Sequence, residues 1–268
     1  MEKITLTTLQ QRKSAGTPIA MLTCYDFSTA VLLQTAGVES LLVGDSLAQV
    51  VLGYPTTLSA TMEVMIPLTA AVRRGAPEVY LVGDMPFLSY QLDINSAIRN
   101  AGRFLTEAGC DAVKLEVDER YTEVVSALAR AGIPVMAHLG VRPQTVHQMG
   151  QFKAQGRTAE EARRLSDQAR LMVEAGASSL LLECVTREVA AEITQSMAVP
   201  VIGCGSGPDC DGQVLVIHDL LALPGAGTAR FAKAYAQMGD QIRQAAAAYV
   251  SDIHQRIFPD DAHSYHRK

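Results

Sequence analysis

The sequence predicts a single (β/α)8 TIM barrel, of class α/β, with an extra helix at its N-terminus. Three observations predict it. Eight short apolar runs alternate with helix-like segments over 268 residues, close to the usual length of such a barrel. The runs are continuously apolar, as in parallel strands covered on both faces. The same helix-stop, strand-start signal recurs at Ala36-Gly37-Val38, Ala108-Gly109-Cys110, Ala131-Gly132-Ile133 and Ala175-Gly176-Ala177. Such alternation implies a parallel sheet with right-handed crossovers. Eight units favour a closed barrel over an open, doubly wound sheet. Residues 1–268 are read as one domain.

The first helix covers Thr7 to Ser14 and is ended by Gly16 and Pro18. It precedes the first strand and is expected to cap the bottom of the barrel. Strand one is Ile19 to Thr23. Ser28 is the expected N-cap of a helix through Ala36. Strand two is Ser40 to Val43, followed by a long loop from Leu47 to Leu58. A helix opening at Thr61 runs to Arg74. Strand three is Val79 to Val82, and Asn95 is expected to cap a helix to Ala108. Strand four is Ala112 to Glu116, followed by a helix from Tyr121 to Ala131. Strand five is Val135 to His138. Gly140 to Arg157 reads as the longest irregular loop. Thr158 with Glu161 reads as a capping box opening a helix to Ala175. Strand six is Ser179 to Glu183, with a short helix from Glu188 to Met197 behind it. Strand seven is Val199 to Ile202, followed by a glycine loop, Gly203 to Pro208. Strand eight is Val214 to Ile217, ending in His218-Asp219. A last helix is expected from Thr228 to about His254.

Composition narrows the partners. Hydrophobic residues are 48% and charged residues 19%, ordinary for a globular chain with a sizeable core. The net charge is −5 and no basic block occurs, so neither nucleic acid nor an anionic membrane is expected as a partner. Met1-Glu2-Lys3-Ile4-Thr5 has no apolar signal core, and no run of about 18 apolar residues occurs, so a cytoplasmic location is expected. Cys24, Cys110, Cys184, Cys204 and Cys210 are scattered without a CxxC pair. A disulfide scaffold or zinc site is not expected from them.

Barrel chemistry sits at the C-terminal strand ends. There the sequence offers Asp26, Asp45 with Ser46, Asp84, Lys114 with Glu116, His138, Glu183, and His218 with Asp219; the opposite rim shows no such collection. Two runs end alike, in Gly44-Asp45 and Gly83-Asp84. Their acids converge from neighbouring strands and suit a hard divalent cation, Mg²⁺ rather than zinc. Each acid alone would read as the cap of the turn that follows. Lys114 and Glu116, two apart, share the lumenal face. They form either a buried ion pair or a seat for an anionic substrate. Glu183 follows three leucines, where a carboxyl pKa rises toward neutrality as a general base needs; the plain alternative is a glutamate reaching into solvent. His138 alone reads as a structural histidine, and Gly203 to Gly207 as a weak phosphate-cradle signal. Together these residues describe a metal that chelates a 2-oxo acid and stabilises the enolate formed when a base removes the neighbouring proton.

Several stretches carry a more specific resemblance: Tyr25-Asp26, Leu42-Val43-Gly44-Asp45-Ser46, Val50-Val51-Leu52-Gly53-Tyr54, Ala71-Val72-Arg73-Arg74-Gly75-Ala76-Pro77, Asp84-Met85-Pro86-Phe87-Leu88-Ser89-Tyr90-Gln91, Val113-Lys114-Leu115-Glu116, His138-Leu139-Gly140, Phe152-Lys153-Ala154-Gln155-Gly156-Arg157, Leu182-Glu183-Cys184-Val185, and Gly207-Pro208-Asp209-Cys210-Asp211-Gly212-Gln213-Val214-Leu215. On these the chain resembles the ketopantoate hydroxymethyltransferase (3-methyl-2-oxobutanoate hydroxymethyltransferase) family over nearly its whole length. The resemblance implies a (β/α)8 barrel that transfers a one-carbon unit from 5,10-methylenetetrahydrofolate to 3-methyl-2-oxobutanoate. The product is 2-dehydropantoate, for pantothenate and coenzyme A synthesis. It implies Asp45 and Asp84 as Mg²⁺ ligands with Glu116 completing the metal environment. Ser46 and Lys114 become oxo-acid anchors, Glu183 the base at C3, and His138 a pocket residue. It also implies a homo-oligomer, commonly a decamer.

Some positions depart from the family pattern: Cys24, Ala48-Gln49, Val117-Asp118 in place of a glycine-rich turn, Gln151, Cys204 and Ser206. None removes a proposed catalytic group. Two alternatives stand beside this reading. One is a lyase or mutase of the phosphoenolpyruvate mutase and isocitrate lyase type; these typically carry a catalytic cysteine in a Lys-Lys-Cys-Gly type loop, which is missing here. The other is a non-catalytic paralogue, against which the intact Asp45, Asp84, Lys114 and Glu183 argue.

Overall fold

The computed structural model describes residues 2–150, 153–225 and 229–267. Eight parallel strands close into a barrel in sequence order, with β8 pairing back to β1. The elements run α1 (Leu6–Ala15), β1 (Ile19–Thr23), α2 (Phe27–Thr35), β2 (Ser40–Val43), α3 (Leu47–Val50), α4 (Met62–Gly75), β3 (Tyr80–Asp84), α5 (Ile94–Thr106), β4 (Ala112–Glu116), α6 (Thr122–Arg130), β5 (Val135–Gly140), α7 (Val146–Met149), α8 (Ala159–Glu174), β6 (Ser179–Glu183), α9 (Arg187–Ser196), β7 (Val201–Cys204), β8 (Gly212–Leu215), α10 (Ile217–Leu221) and α11 (Met238–Gln255). Strands β1, β2, β4 and β6 have the expected bounds.

Two apolar layers hold this arrangement. The larger lies between the sheet and its helices. On α5, for example, Ala97, Ala101 and Phe104 recur at helical spacing and are all buried. The smaller fills the lumen: Met21, Leu42, Tyr80, Val82, Ala112, Met136, Leu181, Ile202 and Val214, with Ile4 and Leu9 from the N-terminal segment. That segment closes the bottom, as expected. It is tied at both ends. Lys3 donates to the carbonyl of Val79 (2.7 Å) and to Asp111 (2.8 Å). Lys13 donates to the carbonyl of Thr194 (2.9 Å) and to Asp211 (2.7 Å).

Several local expectations are corrected. The N-cap of α2 is Asp26, not Ser28, and the N-cap of α5 is Asp93, not Asn95. In each case the aspartate serves two donors on one residue. Asp26 accepts from the backbone and hydroxyl of Thr29 (2.9 and 2.6 Å), and Asp93 accepts from those of Ser96 (2.8 Å each). A capping serine would satisfy only one. The loop after β2 is shortened by α3 and by a 3-10 turn at Thr57–Ser59. The stretch from Gly140 to Arg157 holds a 3-10 turn at Pro143–Thr145 and α7, and Gln155 forms a parallel bridge with Val185. Strand β8 ends at Leu215, because Ile217 N–H turns to the Thr23 hydroxyl (2.9 Å) and opens α10. His218 and Asp219 therefore sit on a helix. The last helix begins at Met238; its expected start, Thr228, lies outside the described residues, as do Gln151 and Phe152. Among the described residues, no helix is long and apolar enough to cross a membrane.

Candidate active site

The site follows from two-residue alternation along the inward face of each strand. Near the bottom those positions are apolar and near the top they ionise. Val82 gives way to Asp84, Ala112 to Lys114 and then Glu116, Met136 to His138, and Leu181 to Glu183. The barrel register then sets the neighbours. Asp84 stands beside Lys114, Glu116 beside His138, and Glu183 beside Cys204. The result is a cavity of about 230 Å³ lined by Asp45, Ser46, Asp84, Lys114, Glu116, His138 and Glu183, all seven of the expected site residues. Leu42, Leu181 and Val214 supply its apolar part.

Lys114 Nζ donates to Asp84 Oδ1 at 2.6 Å, and both side chains are almost fully buried. Asp84 Oδ2 accepts the backbone N–H of Asp45 (3.0 Å), so the two Gly-Asp strand ends are joined through one carboxylate. Burial and then Asp84 push the Asp45 carboxyl up to about 8. Burial lifts Glu116 well above its ordinary value, against the pull of Lys114. Burial alone would lower Lys114; Asp84, Asp45 and Glu116 outweigh it and hold the ammonium above its ordinary value. Burial pushes Glu183 up to about 7. His138 lies between two carboxylates, with Nε2 3.4 Å from Glu183 and Nδ1 3.9 Å from Glu116. Burial, then the nearby Lys114, hold it well below its ordinary value, so the ring is neutral. Neither ring nitrogen has a hydrogen-bond partner, and neither does Glu116 Oε1.

Four carboxyls thus surround one ammonium in a buried space. A divalent cation fits that charge imbalance, and the two strand-end aspartates are hard oxygen donors. Among the described residues, no three His, Cys, Asp or Glu side chains are grouped to hold a metal by themselves. Mg²⁺ keeps several positions for water and substrate oxygens, so a two-carboxylate seat suits it.

The backbone around the base is special. Gly140 has φ +95°, and a Cβ there would stand 2.3 Å from the carbonyl oxygen of Glu183. Cys184, next to Glu183, is left-handed at φ +51°, a conformation strained for a non-glycine residue. Ser206 braces the same turn, accepting from Val185 N–H (3.1 Å) and donating to the carbonyl of Leu182 (2.7 Å). The glycine loop after β7 is packed rather than open for phosphate. A Cβ at Gly205 would lie 2.4 Å from the ring of Phe231.

Not every strand-end residue reaches the cavity. Asp26 is a helix cap, and His218 packs its ring against Tyr25 (centroids 5.7 Å). Asp219 does line the cavity. Sequence reasoning gave no role to Tyr25, whose hydroxyl hydrogen-bonds Ser46 Oγ at 2.9 Å. It also missed Gln144, which ties Asp45 and Glu116 together. Its Nε2 donates to Asp45 Oδ2 (2.9 Å) and to the carbonyl of Met85 (3.0 Å), and its N–H donates to Glu116 Oε2 (2.9 Å). Its oxygen accepts from Tyr90 (2.8 Å). The one local signal was Pro143, a residue suited to opening a helical turn that fixes its successor.

A closed parallel barrel with its ionisable residues gathered at the C-terminal strand ends is the frame of a (β/α)8 enzyme. The comparisons define it further. The family model described as ketopantoate hydroxymethyltransferase matches residues 3–261. The 3-methyl-2-oxobutanoate hydroxymethyltransferase of Syntrophus aciditrophicus (strain SB) is 48% identical over 263 residues, covering 98% of this chain and 97% of that protein. That of Geobacillus sp. (strain WCH70) is 47% identical over 264 residues, covering 98% and 95%. The chain belongs to the ketopantoate hydroxymethyltransferase family, whose members are enzymes that transfer a hydroxymethyl group. A solved phosphoenolpyruvate phosphomutase from Streptomyces platensis subsp. rosaceus shares the fold, with TM-score 0.64 over 94% of this chain and 88% of that one, at 12% identity.

Proposed function

We propose that this chain transfers a hydroxymethyl group from 5,10-methylenetetrahydrofolate to 3-methyl-2-oxobutanoate, giving 2-dehydropantoate for pantothenate and coenzyme A synthesis. The observation that carries it is the placement of Glu183, poised near neutrality, across one cavity from the Lys114–Asp84–Asp45 cluster.

Asp45 and Asp84 would hold a divalent cation, Mg²⁺ by their donor chemistry, with Glu116 completing its surroundings. When bound, the cation supplies Lewis-acid stabilisation of negative charge on the oxo-acid oxygens. The Lys114 ammonium and the Ser46 hydroxyl, steadied by Tyr25, anchor the substrate carboxylate. Leu42, Leu181 and Val214 receive its branched alkyl group. Glu183 takes the proton from C3, and the neutral His138 beside it limits where that carboxyl can turn. The enolate carbon then forms the new carbon–carbon bond with the folate methylene; one water is consumed overall and tetrahydrofolate leaves. Residues 1–268 act as one domain in this reading.

A homo-oligomer, by family resemblance a decamer, is part of the same proposal. Its support is α11: eighteen residues with none buried, and with Ile242, Tyr249, Val250 and Ile253 exposed. A second copy of the chain is the natural cover for that apolar stripe.

Proton NMR in D₂O tests the chemistry. Protein, Mg²⁺, tetrahydrofolate and 3-methyl-2-oxobutanoate are mixed, and the C3 proton signal is followed with and without EDTA. Metal-dependent loss of the signal is expected. Its persistence while the oxo acid still binds would sink the reading.

A further inference from the structure

Two cavities beside the active site continue from it along the β4 and β5 strand ends. The nearer, about 150 Å³, shares Glu116 with the site and is lined by Phe87, Tyr90 and Tyr121 together with the side-chain amides of Gln91, Gln144 and Gln148. The farther, about 300 Å³, shares Arg120 and Arg142 with the nearer one and adds Arg164 from α8. Moving outward, the wall changes from carboxylates to aromatic rings and amides, and then to guanidinium groups.

The guanidinium end is built rather than accidental. Asp118 is buried and grips two arginines. Arg120 donates to both its oxygens (3.0 and 2.6 Å), and Arg142 pairs with Oδ2. Those two guanidiniums outweigh burial and hold the Asp118 carboxyl at about 2, so the clamp stays charged. Each arginine keeps donors to spare. Arg120 Nη1 and Arg142 Nε and Nη2 donate to no acceptor among the described residues, and Arg164 has no hydrogen bond or ion pair there. Glu119, the other acid on the wall, is engaged by Gln168. Fixed guanidinium forks with free edges suit carboxylates.

We infer that these cavities form a subsite for an aromatic group bearing a terminal carboxylate chain. The Phe87–Tyr121 slot takes the ring and the Arg120–Arg142–Arg164 cavity takes the carboxylates. Resting on the function proposed above, that ligand is the aminobenzoyl-glutamate arm of the folate donor, and added glutamates extend into the arginine cavity. The Asp118–Arg142 pair then has a purpose beyond the fold. It turns the β4–β5 edge into a preorganised anion seat.

Titration calorimetry with p-aminobenzoyl-triglutamate tests the subsite without turnover. The full-length protein is expected to bind it, and Arg164→Glu to weaken binding roughly tenfold or more. Arg170→Glu makes the same charge change on the same helix, outside the cavity, and should leave binding as it was. In turnover, Arg164→Glu should raise KM for a polyglutamyl donor more than for the monoglutamyl one. Absence of probe binding to the unaltered protein, or equal weakening by both variants, would overturn the subsite. C3 proton exchange without any folate donor separates the two proposals. Lost exchange with retained probe binding faults the function, and the reverse faults the subsite.

Discussion

The two ends of the barrel use the same residue type in opposite ways. At the bottom, Asp111 and Asp211 each gather a lysine and a backbone N–H on one oxygen, Oδ2. Asp111 accepts from Lys3, Arg73 and the N–H of Leu81, and Asp211 accepts from Lys13 and the N–H of Val201. At the top, Asp45, Asp84, Glu116 and Glu183 share one ammonium, Lys114, and leave Glu116 Oε1 and both nitrogens of His138 unpartnered. A paired carboxylate fastens elements together. In the crowded, under-paired set, burial holds Asp45, Glu116 and Glu183 above their ordinary values, as suits a seat for a cation and a substrate. The bottom rim serves the fold and the top rim serves the chemistry at some cost to it.

The largest expected effect lies at the top. Glu183→Gln should slow C3 proton exchange by about 10³-fold while calorimetry still finds the oxo acid bound. A near-normal rate would move the base elsewhere. The pH profile should sharpen the contrast. Glu183 must be ionised to accept a proton, and its carboxyl sits at about 7. Exchange should therefore rise about tenfold per pH unit from pH 5 and level off near 7. A rate flat from pH 5 to 7 would contradict the burial of this group.

At the bottom, Asp211→Asn removes a charge from the Lys13 contact and should lower stability by about 1–3 kcal/mol, read as a shift in the urea midpoint. KM and kcat of the folded enzyme should not move; if they do, the two ends are not independent. An effect of similar size joins the two. Mg²⁺ at about 100 times its Kd should stabilise the fold by about 2.7 kcal/mol, a gain of several degrees in Tm. The Asp45 carboxyl, pushed up to about 8, must lose its proton to take the cation. The gain should therefore be greater at pH 8 than at pH 6. Equal gains would mean that Asp45 is not a ligand.

Much of this was legible in the sequence because the lumenal face is written in a strict two-residue alternation. Once Lys114 and Glu116 share a face, register sets Asp84 beside Lys114 and His138 beside Glu116, and Glu183 follows one inward position above Leu181, the partner of His138. What escaped was set by contacts between distant residues. Gln144 reaches Asp45 across 99 positions, and no local pattern announces such a bond. The caps Asp26 and Asp93 were missed because a second plausible cap lay two residues on; side-chain geometry chose between them. Strand β8 was drawn two residues too late because Val216 and Ile217 are as apolar as a strand, while the turn there depends on Thr23, 194 residues earlier.

The N-terminal segment also bears on the order in which the barrel is made. Lys3 and Lys13 reach Asp111, before β4, and Asp211, before β8. Those aspartates stand on opposite sides of an eight-strand ring, so α1 spans the ring's floor as a strut. It is made before any strand of the barrel, yet its second anchor is 198 residues away. The Lys13 tie therefore waits until Asp211 has been made, whereas Asp111 is available to Lys3 much earlier. A segment held at both ends therefore reports that the ring is complete.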